Sequence, residues 1–271
     1  MHKPELKVLL WDAIEAAIEA GKEILTIYEG AFEVSYKDDN SPLTIADQKA
    51  HNCIVKRLRD TGIPLLSEEG KSIPYADRNR WHHLWIIDPL DGTKEFVKQN
   101  GEFTVNIALV ENGAPILGVI YIPVEDTLYF SSQGVGAYRI EHLKKIDIEG
   151  DVDALLTRAQ KLPETQERPY TMVGSRSHMS EETTSFFEEI RQEYPDAEIV
   201  SRGSSLKICM VAEGSADIYP RFAPTMEWDT AAGHAIALEA GYEVVRPDDE
   251  KPLEYNKEDL LNPWFIVRKP Q

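Results

Sequence analysis

The chain has 271 residues, 42% of them hydrophobic, with a formal net charge of -18. That length and apolar content support a sizeable core, as one large domain or two lobes, and exclude a disordered chain. The excess of acid disfavours a general nucleic-acid or anionic-membrane surface, so an anionic substrate needs positive charge from a metal or from individually placed basic residues.

Two cysteines, Cys53 and Cys209, both lie inside apolar helical patterns and read as small buried thiols, not as a disulfide framework or a metal site. The N-terminus is amphipathic and nowhere do about 18 apolar residues run together, so neither a signal peptide nor a membrane span is expected. A cytoplasmic enzyme is the default, with association at the membrane periphery left open.

Leu10, Ile14, Ala17, Gly21, Ile24 and Tyr28 recur at spacings of four and three, which predicts an amphipathic helix over 5–28. Phe32 to Tyr36 reads as a short strand and Lys37 to Pro42 as a polar turn. Thr44 is placed to cap a helix running to Asp60, with Asp47 three residues on, where an acid meets the N-terminal dipole. That capping role alone accounts for an acid at 47.

Ile63 to Leu66 reads as a strand that runs into Ser67-Glu68-Glu69-Gly70. The same grammar follows about twenty residues later. Leu84 to Ile87 is short, apolar and β-rich, and Asp88-Pro89-Leu90-Asp91-Gly92-Thr93 follows, with Pro89 and Gly92 expected to stop the strand. Ligands in α/β sheets gather at the carboxyl ends of strands. Asp88 and Asp91, three residues apart across a stiff turn, can aim at one spot, where a proton or a cation must separate them. An oxygen-only donor set favours Mg²⁺. The stretch is equally good turn chemistry, so taken alone it leaves turn and metal site open.

Thr93 to Lys98 predicts a brief helix. Val105 to Val110, Ile116 to Ile122 and Thr127 to Phe130, with an Asn112-Gly113 hairpin and a last strand over 134–138, read as a mostly antiparallel meander. A charged, weakly patterned stretch over 141–169 reads as a connection, which divides the chain into lobes of 1–145 and 146–271. The second half predicts strands over 170–174, 198–200, 216–219, 242–245 and 264–267, and helices over 180–192, 206–213 and 230–240. Asp229 is placed to cap the last of those helices, near Thr230.

Glu68-Glu69-Gly70, Asp88-Pro89-Leu90-Asp91-Gly92-Thr93 and Trp228-Asp229-Thr230-Ala231-Ala232-Gly233, in that order, resemble the magnesium-dependent, lithium-sensitive inositol monophosphatase superfamily. Ser41 to Asp47, Gly92 to Phe96, Gly101 to Leu109, Ser175 to His178, Gly203 to Lys207 and Tyr219 to Phe222 further resemble its 3'(2'),5'-bisphosphate nucleotidase branch, which dephosphorylates 3'-phosphoadenosine 5'-phosphate. The resemblance spans nearly the whole chain and implies an α+β, layered αβαβα sandwich.

It also implies two or three Mg²⁺ per site. Glu68, Asp88 and the Leu90 carbonyl would hold one, and Asp88, Asp91 and Asp229 a second, with Thr93 and Asp47 orienting and deprotonating the attacking water. Gly92, Thr93, Ser175, His178, Ser204, Lys207, Arg221 and Asp229 are then the substrate contacts. Ser204, Ser205 and Lys207 sit at a helix start, a natural anion site, although capping explains the serines equally well. Arg221 stands near where inositol phosphatases carry an acid for sugar hydroxyls, and suits a second phosphate instead.

The expected partner is a small phosphorylated nucleotide, not a nucleic acid, with the oligomeric state left open. An inositol or sugar phosphate phosphatase with the same metals is the nearest alternative. A non-catalytic nucleotide or metal sensor is the alternative of another class.

Overall fold

The structure is a computed structural model that describes residues 1–30, 34–36, 42–143, 151–164, 167–175 and 180–271. The apolar stripe of the N-terminus becomes α1 (Lys3–Tyr28), and its buried face packs beside α2 (Ile45–Leu58). Between them β1 (Val34–Tyr36) and β2 (Pro42–Thr44) form a small antiparallel pair; of the predicted turn over 37–42, Pro42 opens β2 and 37–41 lie outside the described residues. α2 starts directly after Thr44 and gives way at Leu58 to a tight turn closed by Gly62 at φ 69. It therefore ends two residues before the predicted Asp60.

β3 (Leu65–Ser67), β4 (His83–Asp91), β5 (Thr104–Glu111), β6 (Ala114–Ile122), β7 (Thr127–Ser132), β8 (Gly136–Ile140) and β9 (Gln160–Lys161) make a seven-stranded sheet in that order. β3 and β4 run parallel and every later pair antiparallel. Short helices α3 (Tyr75–Arg78) and α4 (Thr93–Val97) flank β4. At the β5–β6 hairpin, Asn112 and Gly113 both take positive φ, 51 and 81, the backbone a twisted two-residue turn requires.

The period-two pattern of these strands decides what covers each face. Trp85 and Ile87 of β4, with Ile107, Leu109, Val119 and Tyr121, join α1 and α2 in one core. Leu84 and Ile86, with Ala108, Val110, Ile120 and Ile122, join a second core on the opposite face. That second core is filled by α7 (Leu206–Glu213) and α8 (Glu227–Glu239) and closed by a second sheet.

The second sheet orders β11 (Glu198–Arg202), β10 (Thr171–Ser175), β12 (Ile218–Arg221), β14 (Phe265–Arg268) and β13 (Glu243–Val245). α6 (Glu181–Glu193) packs through Phe187 on its outer face, with Ser180 accepting from the Thr183 N–H as a helix cap. The layers are thus helix, sheet, helix, sheet, helix, which is the α+β sandwich expected.

Three readings of the sequence are corrected. The stretch over 141–169 is not merely a connection, because it supplies α5 (Val152–Leu156) to the first core and β9 to the edge of the first sheet, Tyr138 facing Lys161. Pro89 does not end β4. The strand runs on to Asp91, because β3 stops opposite Ile87 and leaves no partner there that needs the missing N–H. Cys53 is only half-buried, on α2 beside Glu19, while Cys209 is buried in α7 as expected.

α8 lies against the first sheet at Gly118 of β6. A Cβ there would sit 2.3 Å from the Ala232 carbonyl oxygen and 2.9 Å from the Ala235 Cβ, so only glycine lets the helix approach this closely. Gly118→Ala should cost roughly 3 kcal/mol of stability by overpacking. Equilibrium urea unfolding checks this, with an unchanged midpoint as the contrary result.

Candidate active site

Asp88 continues the face of β4 that carries Leu84 and Ile86, so it points into the layer between the sheets, opposite Asn106 of β5. Strict alternation would send Asp91 to the other face. The ladder instead steps three residues on β4, from Asp88 to Asp91, against two on β5, from Asn106 to Thr104. This one-residue bulge inverts the phase, so Leu90 sits in the core with α1 and α2 and Asp91 returns to the side of Asp88.

The turn is held locally. The Leu90 N–H donates to Asp88 Oδ1 at 3.1 Å, and the Thr93 hydroxyl lies 3.5 Å from the Leu90 carbonyl oxygen. Gly92 takes φ 92, and Phe96 of α4 packs with Phe103 and Tyr28, ring centroids 4.9 to 5.2 Å apart.

The third acid comes from α8. The helix begins at Glu227, three residues earlier than expected, so Asp229 is not its cap; it lies inside the first turn and accepts the Met226 N–H at 2.8 Å. One oxygen from each of Asp88, Asp91 and Asp229 lies within 4.8 Å of the others.

Burial and then the charges of Glu68, Asp91, Asp229 and Asp47 hold the Asp88 carboxyl well above the usual carboxylate range. Burial, followed by the Asp91 charge, pushes Asp229 up to about 8. Such a cluster of hard oxygen donors suits a divalent cation, which removes the repulsion that otherwise raises these groups.

Asp91 is also fixed from the side. Ser205 Oγ lies 2.7 Å from Asp91 Oδ2 and 3.0 Å from the Asp229 carbonyl oxygen, and it accepts from Asn106 Nδ2 at 2.8 Å. Asn106 is oriented in turn by the Thr104 hydroxyl, which donates to its Oδ1 at 2.9 Å. Ser205 precedes α7 without a capping bond, so its hydroxyl serves the acids and not the helix start.

A family model described as the inositol monophosphatase family matches residues 5–268. The chain belongs to the inositol monophosphatase family. Among curated relatives, 3'(2'),5'-bisphosphate nucleotidase CysQ of Salmonella typhimurium is 44% identical over 266 residues, covering 96% of this chain and 99% of the relative. The protein of the same name from Escherichia coli strain K12 is also 44% identical over 266 residues, with the same coverage.

The crystal structure of CysQ from Bacteroides thetaiotaomicron, described as a bacterial member of the inositol monophosphatase family, superposes with a TM-score of 0.91 at 53% identity, covering 98% of each chain. The extragenic suppressor protein suhB of Bartonella henselae, at 24% identity and a TM-score of 0.73 over 97% of this chain and 94% of its own, shares the fold. Enzymes of the inositol monophosphatase family depend on a metal, and the acidic cluster is where one fits.

The remaining expected residues distribute around that cluster. Glu68 is exposed at the end of β3, where its N–H donates to the Ile87 carbonyl oxygen at 3.1 Å and its charge reaches both Asp88 and Asp229. Asp47 is buried in the first turn of α2, and its charge also acts on Asp88.

Lys207 is buried in α7, its ammonium donating to the Ser204 carbonyl and lying 5.7 Å from the Tyr219 ring centre. Burial lowers its pKa to about 8, against the pull of Asp91. Arg221 ends β12, donates to the Pro224 carbonyl at 3.0 Å and keeps Nε buried without a hydrogen-bond partner. Ser204 stands at φ 41 with its hydroxyl buried and unpartnered.

Ser175 ends β10 as backbone, and Arg176, Ser177 and His178 lie outside the described residues. Sequence reasoning missed the role of Asn106. A polar residue inside the apolar run from Val105 to Val110 was the signal for it.

Between about pH 4 and pH 8 the folded, metal-free site keeps a proton on Asp229 that the unfolded chain has lost, so stability falls as pH rises through that window. In thermal melts in chelator, wild type should lose stability relative to Asp229→Asn as pH rises from 5.5 to 8.5. An identical slope in the variant would contradict the assignment.

Proposed function

We propose that this member of the inositol monophosphatase family is a 3'(2'),5'-bisphosphate nucleotidase. It would be a Mg²⁺-dependent hydrolase that converts 3'-phosphoadenosine 5'-phosphate to AMP and phosphate. The convergence of Asp88, Asp91 and Asp229 on one cation-sized space carries the hydrolytic part of the reading. The identity to nucleotidases named CysQ along almost the full chain carries the substrate class.

Glu68, Asp88, the Leu90 carbonyl, Asp91 and Asp229 are the oxygen donors that would hold Mg²⁺. When bound, Mg²⁺ neutralises the phosphate dianion, acidifies water and stabilises the leaving ester oxygen. The chain's own groups do the rest. The Ser205 hydroxyl and the Asn106 amide keep Asp91 Oδ2 in one orientation, and the Met226 N–H does the same for Asp229 Oδ2. Thr93 Oγ1 orients the attacking water and accepts its proton, which passes to the buried Asp47 carboxylate. No cysteine takes part, since Cys53 stands on α2 beside Glu19 and Cys209 is buried in α7 with its thiol held protonated by burial.

The substrate's second phosphate suits the basic side of the site. Arg221 and Lys207 both act electrostatically on Asp229 or feel its charge, and Arg221 retains a buried donor with nothing to bond. A guanidinium in that condition favours an anion over a neutral ring hydroxyl. Gly92, Thr93, Ser204, Ser175 and His178 complete the proposed contacts to phosphate and ribose. No described helix is long and apolar enough to cross a membrane.

The test is phosphate release from 3'-phosphoadenosine 5'-phosphate against inositol 1-phosphate, with and without Mg²⁺. Release should require Mg²⁺ and strongly favour the bisphosphate, and Asp91→Asn should lower kcat about 10³-fold. Arg221→Ala should cut kcat/KM for the bisphosphate roughly 30-fold while sparing a simple phosphomonoester. Equal losses on the two substrates would remove the reason for assigning the nucleotide.

A further inference from the structure

Glu227 precedes Asp229 by two residues and is 0% exposed, yet it takes no part in the acidic cluster. Its carboxylate is turned toward the C-terminal segment 255–262. Oε2 accepts the Asn256 N–H at 2.6 Å, while Oε1 accepts the Lys257 N–H at 3.0 Å and its ammonium at 2.6 Å. A buried carboxylate this well satisfied is a fixed point, because releasing any one donor leaves charge stranded away from water.

The same segment grips the start of α8 elsewhere. Asn262 Nδ2 donates to the Met226 carbonyl at 2.7 Å and to Thr230 Oγ1 at 3.0 Å, and the Glu227 N–H donates to the Leu260 carbonyl at 3.0 Å. Tyr255 OH lies 2.9 Å from His234 Nδ1 one turn further along.

The other side of this strap is held by Arg78, which is 2% exposed at the end of α3. Its guanidinium donates to Asn256 Oδ1 at 2.9 Å, to the Lys257 carbonyl at 2.6 Å and to the Glu258 carbonyl at 3.0 Å. The Asn256 amide answers by donating to the Arg78 carbonyl at 2.8 Å. Arg78 closes the excursion from β3 to β4 whose first residue is Glu68. One strap thus ties together the two chain segments that carry Asp229, a member of the cluster, and Glu68, whose charge reaches it.

We propose that Glu227 and Arg78 are positioning residues for the cation site, setting through the strap the placement of Asp229 relative to the Glu68 end of β3. The inference rests on the reading of Glu68 and Asp229 as cation ligands. Neither residue touches the cation or the substrate. Loosening the strap lets the α8 start and the β3–β4 excursion shift separately, which weakens cation binding more than it slows a site already filled.

The test is calorimetric titration of Mn²⁺ into the full-length, metal-free protein, well below every melting temperature. Wild type is compared with Glu227→Gln, Arg78→Lys and a control, Arg139→Gln, which breaks the remote ion pairs of Arg139 with Glu213 and Glu164. Glu227→Gln and Arg78→Lys should weaken Mn²⁺ binding about tenfold and raise the Mg²⁺ needed for half-maximal activity equally, with kcat at saturating metal within about threefold of wild type. The control should melt earlier with unchanged affinity. Should Glu227→Gln not fold, Lys257→Met removes one donor at a partly exposed position and should weaken binding about threefold. Variants that melt earlier but bind Mn²⁺ as wild type does would overturn the positioning role alone. Wild type that binds no Mn²⁺ would overturn the ligand assignment and this inference with it.

Discussion

Repulsion among carboxylates is the constraint around which this structure is arranged. Asp88, Asp91 and Asp229 are brought within 4.8 Å in a largely buried space. Two unit charges that far apart repel by about 3 kcal/mol even at an effective dielectric of about 20. No local preference of the chain would gather them, so the gathering is imposed by packing elsewhere. β4 is held inside the larger sheet between β3 and β5, and α8 is wedged between two sheets with Ala232 and Ala235 against Gly118 of β6. The hydrophobic layers supply the free energy that keeps like charges together, and the site takes protons or a cation in return.

The same constraint explains where polar groups interrupt the core. Asn106, Thr104 and Ser205 are buried hydrogen-bonding residues in a region otherwise filled with aliphatic side chains. Each spends its hydrogen bonds within the chain from Thr104 to Asn106 to Ser205 to Asp91, so none is buried at the full cost of desolvation. Arg221 Nε and Ser204 Oγ are different: they are buried without partners.

Much of this was legible in the residues. The strands of the meander, the Asn112-Gly113 hairpin and the long helices follow from periodicity and turn chemistry, which are local properties. Two of the three acidic stretches stood out because apolar strands ran directly into carboxylates, and the joint resemblance of all three to one family named the chemistry. What was hidden is what depends on partners. Pro89 looked like a terminator because its effect on a strand depends on whether a neighbour needs its N–H, and β3 ends before it. Asp229 looked like a cap because one residue's position in a first turn cannot be separated from the next by composition. β9 could not be seen in a charged stretch, since two residues at a sheet edge carry no pattern. Ser205 looked like a cap for the same reason, and its true acceptor lies more than a hundred positions away.

The irregular step in β4 fixes more than an orientation. Because faces of a strand alternate, the number of residues separating Asp88 from Asp91 has a required parity, and the bulge supplies it. Losing or gaining a single position here would exchange the destinations of Leu90 and Asp91, driving a carboxylate toward the aliphatic layer under α1 and an isobutyl group into the acidic pocket. Length at this point is therefore as strictly specified as residue identity. The Asn112-Gly113 turn at the far end of β5 is held by contacts and not by parity: the Asn112 N–H donates to the His82 carbonyl oxygen, and the Gly113 carbonyl accepts the Tyr255 N–H.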